Sequence, residues 1–179
     1  EGLAILLIKE RSLGMAPLES RVGTIVTITG TGFPADNTKT GAASTPSVSI
    51  KYTYGTTTDT VATLTPDASG NINGTYTVPL NAPIPSTNSV TAEFKYTPTG
   101  GTETTATTAV THEIPRATVT ISPTSGPTGT EVTISGAGFK TFSTVSTLDI
   151  GDIDVRPAPI PSTDSEGAFV AKVLIPQAN

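Results

Sequence analysis

The stretch VGTIVTITGTGF, residues 22–33, returns as TGTEVTISGAGF at residues 128–139. The two copies lie 106 positions apart and agree at eight of twelve positions. A repeat spaced by roughly 100 residues is typical of a duplicated domain, because solenoid units recur about every 20–50 residues. A second matching pair, DASGNINGTYTVP at 67–79 and DSEGAFVAKVLIP at 164–176, extends the repeat. We therefore predict two tandem domains, residues 1–114 and 115–179.

Apolar and polar residues alternate along both copies. In the second copy, Val132 and Ile134 alternate with Glu131, Thr133 and Ser135, which is the period of a strand with one buried face. The same period runs through residues 48–54, 72–78 and 90–96, and clusters of Gly and Pro separate these runs. The pattern predicts an all-β protein made of two sandwiches.

The composition agrees with strands and limits the function. Threonine, which suits the solvent face of a strand, occurs 36 times, whereas charged residues make up only 14% of the chain. The net charge of −5 argues against nucleic-acid binding, which needs clustered Lys and Arg. Because the chain has no Cys, sheet packing and not disulfides must stabilise it. The apolar run 3–8 is too short for a transmembrane segment.

The second copy is shorter than the first. After the matching segment that ends at Pro79, the first copy continues through residues 80–114 with two further predicted strands. After Pro176 the second copy continues for three residues. We therefore predict that the second sandwich lacks its last strands and presents an open sheet edge, which is a template for strand pairing.

The segment SGPTGTEVTISGAGF, residues 125–139, resembles the IPT/TIG group of immunoglobulin-like (E-set) domains. The first copy lacks the Gly-Pro pair of that pattern. The resemblance implies immunoglobulin-like sandwiches of about seven strands without the antibody-type Cys and Trp, and this chain has neither residue. It also implies roles as spacers or adhesive modules of cell-surface proteins, or as accessory domains of polysaccharide-active enzymes. Some relatives are transcription factors, a role that the acidic composition disfavours.

Two acidic clusters are candidate calcium sites, since calcium prefers oxygen ligands. Asp67 and Asn71 lie in the first cluster, where a turn capped by a side chain is the alternative. Asp149, Asp152 and Asp154 form the second cluster, where a solvated strand edge is the alternative. No other cofactor is expected.

Two further positions bear on chemistry. Asn73 begins the only Asn-x-Ser/Thr tripeptide and lies on the outward phase of its strand, so it is a candidate glycosylation site. His112 is the only histidine and falls in HEIPRA, residues 112–117, which we interpret as the link between the copies. A solitary histidine in a linker indicates no catalytic group, and we predict that the protein is not an enzyme.

The apolar run at the N-terminus is a candidate assembly strand. Leu3, Ile5 and Leu7 share one face of this run. One hypothesis is that this strand enters the open edge of the next subunit, as in donor-strand complementation, and builds a filament or an S-layer-like lattice. The alternative is that the chain is a fragment whose missing strands lie in sequence beyond it, with the N-terminal strand extending the first domain.

Together these observations predict a non-catalytic structural or adhesive module of an extracellular, prokaryotic cell-surface protein. Its expected partners are further copies of itself, other surface proteins or glycans. The alternative is a carbohydrate-binding region of a larger secreted enzyme, which needs exposed aromatic rings for stacking. The alternation places all four tyrosines inward: Tyr52, Tyr54, Tyr76 and Tyr96.

Overall fold

The computed structural model describes residues 10–34, 47–96 and 104–177, and for Tyr96 it describes the backbone only. The candidate assembly residues Leu3, Ile5 and Leu7 lie outside this part of the chain. Within it every helix or strand assigned is a β-strand, so the predicted all-β fold is confirmed. The described residues contain no apolar helix of the length that a membrane crossing requires.

The chain divides into two compact units. The first comprises Glu1–Glu19, Ile25–Pro79 and Thr87–Glu113, and the second comprises Ser20–Thr24, Leu80–Ser86 and Ile114–Asn179. This division differs from the predicted domains in two loops, residues 20–24 and 80–86, which group with the second unit.

The first unit is a sandwich of two antiparallel sheets. Its strands are β1 (Ser12–Ala16), β2 (Ile25–Thr31), β3 (Val48–Tyr54), β4 (Thr57–Leu64), β5 (Ile72–Thr77), β6 (Ser86–Tyr96) and β7 (Thr104–Ile114). One sheet has the order β1-β2-β5 and the other β4-β3-β6-β7. Tyr52 of β3 and Tyr76 of β5 pack with ring centroids 5.9 Å apart, so their contact joins the two sheets. Inward residues of both sheets, such as Val26, Ile28 and Val90, are fully buried.

The second unit repeats one sheet of the first and only part of the other. Its strands are β8 (Thr118–Ser122), β9 (Glu131–Ala137), β10 (Asp149–Ile150), β11 (Ile153–Asp154) and β12 (Phe169–Leu174). The three-stranded sheet β12-β9-β8 buries Val132, Ile134 and Phe169 beneath the short hairpin β10–β11. Among the described residues the last strand is β12, and the absence of the last strands from the second sandwich stays a prediction.

The repeat in sequence is also a repeat in register. Leu13 pairs with Gly30 and Met15 with Ile28 in the first unit. The residues 106 positions later make the same pairs, since Val119 lies opposite Gly136 and Ile121 opposite Ile134. The second half of the match holds as well, because β5 and β12 each pair with the middle strand of their sheet. Each residue of one three-stranded sheet therefore has a counterpart in the other.

A loop and a turn meet in the same way in both units. The amide of Phe33 donates to the carbonyl of Gly70 at 3.0 Å, and the amide of Phe139 donates to the carbonyl of Gly167, also at 3.0 Å. Both of these glycines have positive φ, 75° and 70°. A β-carbon on Gly70 would collide with the carbonyl oxygen of Phe33, and one on Gly167 with that of Phe139. Only glycine fits this closely packed turn.

We expect Gly167→Ala to destabilise the protein far more than Gly129→Ala. Gly129 also has positive φ, 83°, but a β-carbon there meets nothing within 4 Å. The control should therefore lose about 1–2 kcal/mol of unfolding free energy from backbone strain alone. Gly167→Ala adds the steric conflict and the loss of a hydrogen bond, so its loss should reach about 3 kcal/mol or more. Urea denaturation of both variants measures the difference, and equal losses would contradict it.

Candidate functional site

The only histidine of the chain lies in the core and not in a linker. His112 belongs to β7 and is fully buried, so the interpretation of residues 112–117 as a link was wrong for its first three residues. Its Nδ1 lies 2.8 Å from the hydroxyl oxygen of Tyr52, and the two rings meet edge to face with centroids 5.7 Å apart. His112 is buried because residues alternate along β7, and His112 points inward together with Val110 and Ile114.

Burial controls the protonation of this pair. It raises the pKa of Tyr52 to about 12, although a hydrogen bond with Asn88 acts in the opposite direction. It lowers the pKa of His112 below the ordinary histidine value, against the opposing charge of Glu113. At neutral pH the hydroxyl therefore keeps its proton and the imidazole is uncharged. This arrangement satisfies polar atoms inside the first sandwich, and it places the histidine where substrate has no access.

The candidate calcium ligands Asp67 and Asn71 form a capped turn. One carboxylate oxygen of Asp67 accepts the amides of Ser69 at 2.8 Å and Asn71 at 2.9 Å. The other accepts the side-chain NH₂ of Asn71 at 3.0 Å, so Asn71 presents its nitrogen and not its oxygen to the carboxylate. A shared calcium would need both side chains to offer oxygen. The capped turn accounts for these contacts, and calcium binding here stays a prediction.

The equivalent turn of the second unit supports the same explanation. Asp164 accepts the amides of Glu166 at 2.8 Å and Ala168 at 2.9 Å through one oxygen. These two hydrogen bonds hold the pKa of Asp164 below its ordinary value, and the one from Ala168 has the larger effect. Asp67 and Asp164 therefore fix the turn that carries Gly70 or Gly167.

The second acidic cluster lies on the hairpin β10–β11. Asp149 pairs directly with Asp154 across the hairpin, and Asp152 is exposed at its turn. The guanidinium of Arg156 lies 2.6 Å from a carboxylate oxygen of Asp154, holds the pKa of that group below its ordinary value, and also donates to the carbonyl of Ser146. Within the described ranges no three His, Asp or Glu side chains gather as a metal site. The carboxylate of Asp154 is thus already paired with Arg156, and calcium binding by this cluster also stays a prediction.

On the surface of the first unit Asn73 is exposed, whereas the rings of Tyr52 and Tyr76 are buried. Asn73 and Thr75 are both exposed on β5, an edge strand of its sheet, and glycosylation of Asn73 stays a prediction. Tyr52 is 0% and Tyr76 3% exposed, so neither ring is available for stacking on a sugar. Tyr54 is half-buried and donates to Asp59 at 2.8 Å.

The second unit has an apolar groove that sequence reasoning did not identify. It has a volume of about 340 Å³ and is lined by the apolar side chains of Val119, Phe139, Val145, Leu148 and Phe169 among others. Val119 is 57% exposed and the neighbouring inward residue of β8, Ile121, is 40% exposed. In the sequence, Val119 and Ile121 can be identified because they lie 106 positions after Leu13 and Met15.

We expect the free energy of unfolding to fall as the pH is lowered below about 6.5. Above that pH the imidazole of His112 is neutral in both states. Below it the unfolded chain binds a proton that the folded core resists, because the folded pKa is lowered, so stability falls by up to about 1.4 kcal/mol per pH unit. Denaturation at pH 7 and pH 5.5 measures this slope. His112→Gln should remove it, since no other histidine is present, and a variant that keeps the slope would contradict the assignment.

Comparison with known proteins gives one result for the second unit. No curated protein matches the chain. Residues 117–171 match the model of the IPT/TIG domain, and modules of this type are generally non-catalytic. The match spans β8 to β12 and includes the segment 125–139 on which the resemblance was based. The resemblance of the second unit to IPT/TIG immunoglobulin-like domains is therefore confirmed, and the same assignment for the first copy stays a prediction.

Proposed function

We propose that the chain is a non-catalytic structural or adhesive module of an extracellular protein on a prokaryotic cell surface. The observation that supports this proposal is that the side chains most capable of chemistry have structural roles. His112 fills the core of the first unit, while Asp67 and Asp164 cap turns and Asp154 holds Arg156. In the part of the chain that the structure describes, these groups therefore stabilise the fold.

The outer faces of the first unit support a role in contact with water and with other surfaces. On β2 and β5 the outward residues include Thr27, Thr29, Thr75 and Thr77, all exposed. Hydroxyl groups keep a sheet soluble without charge, and they offer donors and acceptors to a partner surface. Self-association of such modules into a filament or lattice, by donation of the strand Leu3–Ile8 to the next subunit, is the specific form of the proposal.

Antibody labelling of intact producing cells tests the proposed location and role. The protein should be labelled without lysis and should be released by external protease, and cells lacking it should lose adhesion or surface order. Labelling that requires lysis would contradict the proposal. Retention of the pure protein on an insoluble polysaccharide, abolished by substitution of an exposed aromatic residue such as Phe142, would favour the carbohydrate-binding alternative.

A further inference from the structure

We propose that a polar pocket on the outer face of the β1-β2-β5 sheet binds a neutral saccharide. The inference rests on the proposed function, because it names the class of ligand and the surface through which the adhesive module would make contact. The pocket has a volume of about 490 Å³, and small-molecule sites measure about 300–1,000 Å³. Its polar side chains come from all three strands and from the turn before β5: Ser12, Thr29, Thr31, Asp67, Asn71 and Asn73.

The strand register brings these side chains together. Ser12 lies opposite Thr31, and their hydroxyl oxygens are 2.9 Å apart. In the next row on the same face, Gly14 lies opposite Thr29, which in turn lies opposite Asn73. This row carries a hydroxyl on β2 and an amide on β5 but no side chain on β1. The space that a side chain at position 14 would occupy therefore belongs to the pocket.

The fold itself does not require glycine at position 14. Its φ lies outside the left-handed region, and the pairing of β1 with β2 runs through it without a register shift. A β-carbon there would meet only the hydroxyl oxygen of Thr29, at an ordinary contact distance of 3.5 Å. At Gly30, by contrast, a β-carbon would lie 2.8 Å from the carbonyl oxygen of Ser12. Glycine weakens the interior of a strand and often marks the close approach of a ligand, so Gly14 favours a binding site.

The second unit shows which residues the fold needs. The counterparts of Gly14, Thr31, Asn71 and Asn73 are Thr120, Ala137, Ala168 and Val170. Thr120 takes the position of Gly14, and its hydroxyl donates to the carbonyl of Ser135 at 3.4 Å. Asp164 and Gly167 keep the turn that Asp67 and Gly70 form. The same sheet and turn thus form without this polar lining, which indicates that the lining has a role other than folding.

The lining favours a ligand that is polar and uncharged. Among the described residues that line the pocket, Asp67 alone is charged, and its carboxylate accepts hydrogen bonds from Ser69 and Asn71. An anion would be repelled by this carboxylate, and a cation would meet the side-chain NH₂ of Asn71. Thr29 and Asn73 use their side chains in no hydrogen bond within the described ranges. Hydroxyl and amide groups both donate and accept, as do the hydroxyls of a sugar ring.

The charged residues that precede the pocket do not change this balance. Glu10 and Arg11 come directly before Ser12 and carry opposite charges. The guanidinium carbon of Arg11 lies 5.0 Å from the centroid of the Phe94 ring, so an aromatic face holds this cation. The approach to the pocket is therefore close to neutral.

Recognition at this pocket would depend on hydrogen bonds and not on stacking, since none of its described lining residues is aromatic. Each hydrogen bond replaces one to water and contributes a modest net free energy, so a single pocket should bind weakly. Many copies of the module on one surface would bind a glycan-covered partner with much higher avidity. Weak and repeated binding of this kind suits an adhesive protein.

Three variants of the full chain test the inference. Gly14→Thr inserts the side chain that the second unit has at this position, and it should fill the pocket without weakening the fold, because a β-carbon has room and threonine favours strands. Asn73→Ala removes one exposed polar group from the lining. Thr75→Ala is the matched control, since Thr75 is exposed two residues further along the same face and does not line the pocket. The control also removes the glycosylation tripeptide, so modification of Asn73 is separated from binding.

Two-dimensional ¹H–¹⁵N NMR of the protein, titrated with lactose, cellobiose, mannobiose and N,N′-diacetylchitobiose, measures binding. At least one of these neutral disaccharides should shift the amide signals of Ser12, Gly14, Thr29 and Asn73 and leave those of the second unit unchanged. Gly14→Thr should weaken this binding at least about tenfold, Asn73→Ala should weaken it as well, and Thr75→Ala should leave it as in the wild type. Urea denaturation of Gly14→Thr should show no loss of stability, which separates lost binding from unfolding.

Three results would overturn the inference: no shift at the pocket with any of the four sugars, shifts there with glucuronic acid but with no neutral sugar, or binding by both pocket variants equal to that of the wild type. The first two would exclude the ligand class, and the third would place binding on another surface. None of these results bears on surface labelling of intact cells, so the proposed function is tested separately.

Discussion

The hydrogen bond from a phenylalanine amide to a glycine carbonyl holds each unit together at the same point. Phe33 and Phe139 follow the middle strand of their sheets, and Gly70 and Gly167 precede the strand that pairs with it. The bond therefore closes the sheet at one end, while Asp67 or Asp164 fixes the turn from the side. Because a β-carbon has no room at either position, the turn can approach the loop this closely only with glycine there. The same closure lies at the end of the pairing of β2 with β5 and of β9 with β12.

Local sequence was sufficient to predict the parts of the fold that repeat this closure. The residues that make it recur in two matching segments, since Phe139 lies 106 positions after Phe33, and Asp164 and Gly167 lie 97 positions after Asp67 and Gly70. Strict alternation defines β2, β5, β9 and β12. It was not sufficient for β4, whose buried and exposed residues do not alternate cleanly. A register shift between Ile50 and Lys51 in the pairing of β3 with β4 changes the phase, and the alternation within either strand does not reveal it.

The candidate sites show the same limit. His112 was taken for a linker residue because it falls in HEIPRA, between the two copies, yet it is on the inward phase of β7 with Val110 and Ile114. A polar side chain on an apolar phase is placed correctly only when its partner is known, and the hydroxyl of Tyr52 comes from a strand about 60 residues away. For Asp67 and Asn71 the residue types fit calcium equally well, and only the orientation of the Asn71 amide distinguishes a capped turn from a ligand set.

The second layer of the second unit contains the short hairpin β10–β11 and a further bridge between Thr144 and Ser162. After β11 the chain carries Pro157, Pro159 and Pro161, which have no amide hydrogen to donate to a neighbouring strand. The two strands of the hairpin therefore stay short, although further along the amide of Val145 donates to the carbonyl of Pro161 and the amide of Thr163 to that of Ser143. The three-stranded sheet beneath is nevertheless closed by Phe139 and Gly167.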